Sequence, residues 1–157
     1  MHFASRAELL IATVRYVDEA NGLEERLQRC REASNSIEAL DAYVEFWGNY
    51  IPEIYGLAKA LIAMYDTDEA AAAAWDDRMQ ALRDGCHGVF DCLERDQALA
   101  LGWNVAEATD MMWTMLSVSL WENLTRACGW SMDQYVRRMQ VALKLCEINV
   151  GAKQNNG

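Results

Sequence analysis

Proline is nearly missing from this chain: Pro52 is the only one in 157 residues. Nowhere do polar and apolar residues alternate far enough to make a strand, which leaves an all-helical reading. Lysine is almost as scarce, confined to Lys59, Lys144 and Lys153. With 24 acidic residues against 14 basic ones, the net charge is −10. Nucleic-acid affinity rests on cations that displace phosphate counterions, so the chain as it stands is not a nucleic-acid binder. No apolar run reaches membrane-spanning length, and no basic segment followed by an apolar stretch opens the chain. A cytoplasmic protein without membrane contact is expected.

Chemistry-bearing motifs are equally thin. The five cysteines, Cys30, Cys86, Cys92, Cys128 and Cys146, are odd in number and form no CxxC pair, so neither a disulfide framework nor a zinc knuckle follows. His87 stands beside Cys86, with Asp91 four residues on and hence on the same helical face. A metal needs further ligands, so a hydrogen-bonded surface histidine is the expectation. Paired Glu-x-x-His motifs, a Gly-rich phosphate loop, GxSxG and HExxH are all lacking. Asp76-Asp77 and Glu24-Glu25 read as solvated helix faces. The expectation is a non-enzyme without metal or cofactor.

What the chain has in plenty is apolar bulk: 52% hydrophobic residues, with six Trp, six Tyr and eight Met. At this length one domain forms without staples. Either its core is unusually aromatic, or some apolar surface faces a partner or ligand.

Capping boxes at intervals lay out about six helices in a bundle. Ser5-x-x-Glu8 opens the first, which runs to about Ala20 and closes at Asn21-Gly22. Residues 23–34 read as a loosely helical connection. Asn35-x-x-Glu38 opens a helix with Ile37, Leu40, Val44, Trp47 and Ile51 on one face. Pro52 is expected to start a separate helix, where its missing N–H is harmless, running to about Tyr65. Asp66-x-x-Glu69 opens the longest segment, to about Leu99, with Trp75, Met79, Leu82, Cys86, Val89 and Leu93 at helical spacing. Its Gly85 and Gly88 mark a kink or a close helix contact, and the run Ala70 to Ala74 signals strong helix propensity. Asn104-x-x-Glu107 opens a helix lasting to about Ala127, capped at Gly129. Ser131-x-x-Gln134 opens the last, to about Ile148, with Tyr135, Met139, Ala142, Leu143 and Cys146 at core spacing. Residues 1–150 form the domain, and the polar tail 151–157 is expected to fray.

Between Met111 and Trp121 no residue is charged. Read as one helix, this segment is apolar around most of its circumference and must be buried on all sides. Leaving several large apolar side chains wet is costly, at about 1.5–3 kcal/mol each. Homodimerisation is therefore expected through this helix and the final one, with Val118, Trp121, Glu122, Tyr135, Met139 and Leu143 at the interface.

Two stretches carry a family resemblance. His2-Phe3-Ala4-Ser5-Arg6-Ala7-Glu8-Leu9-Leu10 resembles the junction in TetR-family transcriptional regulators where the recognition helix meets a Ser-Arg-capped fourth helix. Gly129-Trp130-Ser131-Met132-Asp133-Gln134-Tyr135 is similar to the Gly-Trp-Ser turn before the last helix in one branch of that family. The helix order between them also matches, so the resemblance spans Phe3 to Ile148. It implies a TetR C-terminal-type domain that binds a small, largely apolar effector and dimerises through its last two helices. Family members begin with a three-helix DNA-binding head, and this chain starts where that head should end. DNA contact is thus expected only through a missing head, with Met1 an internal methionine of a longer reading frame. The competing expectation is a headless protein that heterodimerises with an intact regulator.

A cavity in such a domain is lined by aromatic and sulfur side chains. The candidates are Tyr16, Phe46, Trp47, Tyr50, Trp75, Met79, Phe90, Met112, Trp113, Leu116 and Ser119, with Tyr16 and Ser119 as polar handles. Plain core packing competes at every one of these positions.

Overall fold

A computed structural model describes the backbone of residues 2–147 and the side chains through Leu145. Expectations for the side chain of Cys146, the helix end near Ile148 and the tail lie outside the described residues. Those residues form seven α-helices and no strand: α1 (Arg6–Ala20), α2 (Leu23–Arg31), α3 (Ser36–Met64), α4 (Glu69–Arg95), α5 (Val105–Met115), α6 (Val118–Glu122) and α7 (Met132–Glu147). A π-helical turn, Asn123–Ala127, continues α6. No helix among the described residues is long and apolar enough to cross a membrane.

Four of the five capping boxes act as the sequence predicts. Ser5, Asn35, Asn104 and Ser131 each accept the backbone N–H three residues on, from Glu8, Glu38, Glu107 and Gln134. Gly22 and Gly129 adopt positive φ, at 66° and 73°, where a side chain would be strained. Residues 23–31 form a regular helix rather than a loose connection.

Three boundaries differ from the sequence reading. The long fourth helix starts at Glu69 because Asp68, not Asp66, caps it, accepting from the N–H groups of Ala70 and Ala71. It ends at Arg95. Pro52 does not begin a new helix but lies inside α3, which is unbroken over 29 residues, about 43 Å. The ring removes one backbone hydrogen bond. The helix persists because buried residues on both sides of Pro52, Trp47 and Ile51 before it and Ala58 and Leu61 after it, hold it in place.

The charge-free segment breaks as well. It is not one helix but two, α5 and α6, with Leu116 and Ser117 between them. The Leu116 carbonyl leaves the helical ladder and accepts the Trp47 indole N–H at 2.6 Å. Ser117 Oγ then caps α6 by accepting from Leu120 N–H. This break lets one chain bury residues from different sides of the segment, including Met112, Leu116, Val118 and Trp121.

The long helices α3 and α4 pack most extensively on each other. They are antiparallel, with Tyr43 reaching Leu82 and Tyr65 reaching Asp76. Their close approach rests on Gly85, where a β-carbon would collide with the Tyr43 hydroxyl. That is the close contact, rather than the kink, among the sequence alternatives. Helix α7 crosses the far side of α3, where Gly48 leaves room for Val136 and the Tyr135 ring. Helix α1 lies on the opposite flank of α4, on its alanine face: Val14 and Leu61 form a small apolar cluster with Ala71 and Ala74.

Candidate functional site

The buried residues of α3 and α4 do not close up entirely. Where α1 and α2 meet them, a cavity of about 80 Å³ remains. One water needs about 10–15 Å³ on the same measure, so the space suits a molecule on the order of several waters in size. Its wall is mostly apolar. Tyr43, Phe46, Trp47 and Tyr50 face it from α3, and Trp75 and Met79 from α4. Leu23 and Leu27 of α2 close one side, Val14 of α1 another.

The rings from α3 come from successive turns. Phe46 stacks near Tyr50, with centroids 5.5 Å apart and planes 27° from parallel, and lies 5.7 Å from Tyr43. Three ring donors are tied to the protein: Tyr43 Oη–H donates to Leu82 O, Trp47 Nε1–H to Leu116 O and Tyr50 Oη–H to Asp18 Oδ1. Burial pushes the Tyr43 hydroxyl well above its ordinary pKa, and burial together with donation to Asp18 does the same to Tyr50.

At one end of the cavity the wall turns ionic. Asp18 is only 7% exposed. Its other oxygen accepts from Arg78 Nη1. Arg78 in turn donates through Nη2 to Asp77 Oδ2 at 2.5 Å, and Arg15 Nη2 meets Asp77 Oδ1 at 2.6 Å. The Arg15 and Arg78 guanidiniums hold the Asp77 carboxyl below its usual range, Arg15 more strongly. Two carboxylates and two guanidiniums thus form a chain from the cavity to the surface that sums to zero charge.

Five of the sequence candidates are brought together here: Phe46, Trp47, Tyr50, Trp75 and Met79. The others lie elsewhere. Tyr16 is 70% exposed. It stands two residues from both Val14 and Asp18, about 200° around the helix, and so points away from the cavity they face. Phe90, Met112 and Leu116 are fully buried but do not line the cavity; Phe90 sits about 16 Å further along α4 than Met79. Trp113 packs outside α4, donating to Met79 O at 3.2 Å beneath the Arg83 guanidinium. Ser119 is exposed on α6, so neither expected polar handle reaches the site. The charged side chains in the wall are Asp18 and Arg78. The sequence signal for Asp18 was a carboxylate four residues after Val14, on the face that α1 buries.

The residues expected at a dimer contact are covered within the single chain. Val118, Trp121, Tyr135, Met139 and Leu143 are all buried, and Glu122 is tied to Tyr55 at 2.5 Å and Lys59 at 3.1 Å. The break at Ser117 buries Met112, Leu116, Val118 and Trp121 within one chain, while Met111 stays 42% exposed. His87 Nδ1 pairs with Asp91 at 3.0 Å on an exposed face, and no group of three metal-ligating side chains occurs among the described residues.

A second, wider hollow of about 750 Å³ lies between α2 and α3, lined by Glu25, Arg26, Arg29, Asn49 and Glu53. It is a solvated polar groove. Phe46 belongs to its wall and to the apolar cavity's wall, so this one ring separates them. Compared with protein-family models, with curated proteins and with solved structures, the chain matches none.

Proposed function

We propose that this chain is the effector-binding and dimerisation domain of a TetR-like transcriptional regulator, and that the cavity among α1, α2, α3 and α4 is its effector site. The observation that carries this reading is the hollow itself. Interiors pack to crystal density, yet here a space walled by Phe46, Trp47, Tyr50, Trp75 and Met79 stays open, beside a chain of ionic groups with no spare charge. Apolar walls with a few fixed polar groups are the usual form of a small-molecule site. The two resembling stretches, His2–Leu10 and Gly129–Tyr135, support the choice of family. DNA contact in such regulators belongs to a separate head.

Small apolar molecules added to the full chain are expected to raise its melting temperature and quench tryptophan emission, since Trp47 and Trp75 line the site. Met79→Trp, which fills the hollow, should remove both responses. A response of equal size in Met79→Trp would place the ligand elsewhere and sink the site. The same reading takes the chain as a homodimer that uses the outer side of α7, where Val141 and Leu145 are 46% and 74% exposed. Sedimentation of Leu145→Lys against the parent chain measures that part separately: a monomeric parent would remove it.

A further inference from the structure

The cavity's polar wall also restricts the charge of what it can hold. Both Asp18 oxygens are engaged, one by Tyr50 and one by Arg78, and every guanidinium nitrogen of Arg78 donates to Asp18 or Asp77. A cationic ligand would meet an Asp18 already neutralised by Arg78, and an anionic one an Arg78 already neutralised by Asp18 and Asp77. Either would bring a charge into the site without a countercharge to spare, which low-dielectric interiors penalise. The site therefore has no charge to offer.

Among the rings of its wall it has one free donor. Of the indole and phenol groups in the wall, those of Tyr43, Trp47 and Tyr50 donate to protein atoms. Trp75, half-buried and packed against both apolar clusters, has an indole N–H with no acceptor among the described residues. A ligand group that accepts from it gains a hydrogen bond that the folded chain leaves unmade.

We infer that the cavity takes an uncharged, ring-shaped apolar molecule bearing one hydrogen-bond acceptor, oriented by the Trp75 indole N–H. This rests on the reading of the hollow as a ligand site. Four probes on one ring system test it with the full chain near pH 7: naphthalene, 2-acetylnaphthalene, 2-naphthoate and 2-naphthylmethylammonium, followed by equilibrium dialysis. The ketone should bind tightest, roughly fivefold better than naphthalene, the ratio one net hydrogen bond supplies. The carboxylate and the ammonium should bind at least about 100-fold more weakly than the ketone. In Trp75→Phe the ketone and naphthalene should bind equally, whatever the lost ring area does to both.

Either ion binding as well as the ketone overturns the inference, as does a ketone preference that survives in Trp75→Phe. The two ionic arms use the unaltered chain and stand whatever Trp75→Phe does to folding. If naphthalene and the ketone both fail to bind, the ligand-site reading itself falls and this inference with it; ions that bind while the site remains occupied overturn the inference alone.

Discussion

The two sides of α3 are surrounded by the same kinds of side chain and use them differently. Toward α1 and α2, Phe46, Tyr50 and Trp75 stand around an open space. Toward α5, α6 and α7, Phe90, Met112, Leu116, Tyr135 and Leu143 are fully buried, and none of them lines that space. The difference is made by backbone rather than by composition. The chain breaks at Ser117 and approaches closely at Gly48, so the second region can fold its large residues into one another. In the first region, uninterrupted helices meet across a charged network at one end. Aromatic abundance by itself does not mark a cavity; rings on uninterrupted helices that meet across an ionic tie do.

The sharpest way to break that contrast is to remove the tie. Arg78→Ala strands the Asp18 carboxylate beside Tyr50 without a cation and should cost about 3–5 kcal/mol in urea unfolding. Adding Asp18→Asn should recover most of it, because no buried charge is left; a double variant as unstable as the single one would show that packing of the Arg78 stem matters instead. A smaller effect separates the two regions directly. Ala108→Leu, in the filled region, should cost about 1–3 kcal/mol through overpacking. Ala58→Leu adds the same atoms at the cavity wall and should stay within about 1 kcal/mol of the parent while weakening ligand binding. Equal losses at the two sites would erase the distinction drawn here.

The smallest expected effect is on acid stability of the α1–α4 seam. Arg6 and Arg15 hold the Asp68 and Asp77 carboxyls below their ordinary range. A depressed folded pKa contributes stability that is complete above the unfolded value near 4 and is lost as pH falls through the folded one. Melting temperature should therefore drop from about pH 4 downward, and Asp77→Asn should flatten part of that slope. The partly exposed Asp77 pair is worth about 1 kcal/mol or less. Parallel curves for the two proteins would mean the carboxylate adds nothing.

Much of the fold is written in local signals. Ser5, Asn35, Asn104 and Ser131 mark helix starts because capping is a contact between residues three apart, visible without any tertiary knowledge. Pro52 misled for the complementary reason. Its cost is local, but the packing of Trp47, Ile51, Ala58 and Leu61 that outweighs it is not. The Ser117 break was hidden because its main support, the Trp47 indole on the Leu116 carbonyl, joins residues 69 apart. At the site, the apolar members on α3 and α4 could be read from helical spacing. Asp18 gave only the local signal of a carboxylate on the face α1 buries, and Arg78 gave none, since its partner lies 60 positions away.

The alanine run on α4 gives α1 a smooth track. Ala71 and Ala74 are fully buried under it and offer no knob to fix its position along the axis. What fixes it is electrostatic: Arg6–Asp68 and Arg15–Asp77 both join positions 62 apart, so the two helices run in the same direction with a constant offset. Sliding α1 by a single turn would undo every one of these stitches together. The first helix is thus indexed like a ratchet on its neighbour, with one notch set by charge, and salt rather than heat is the agent that should first blur its setting.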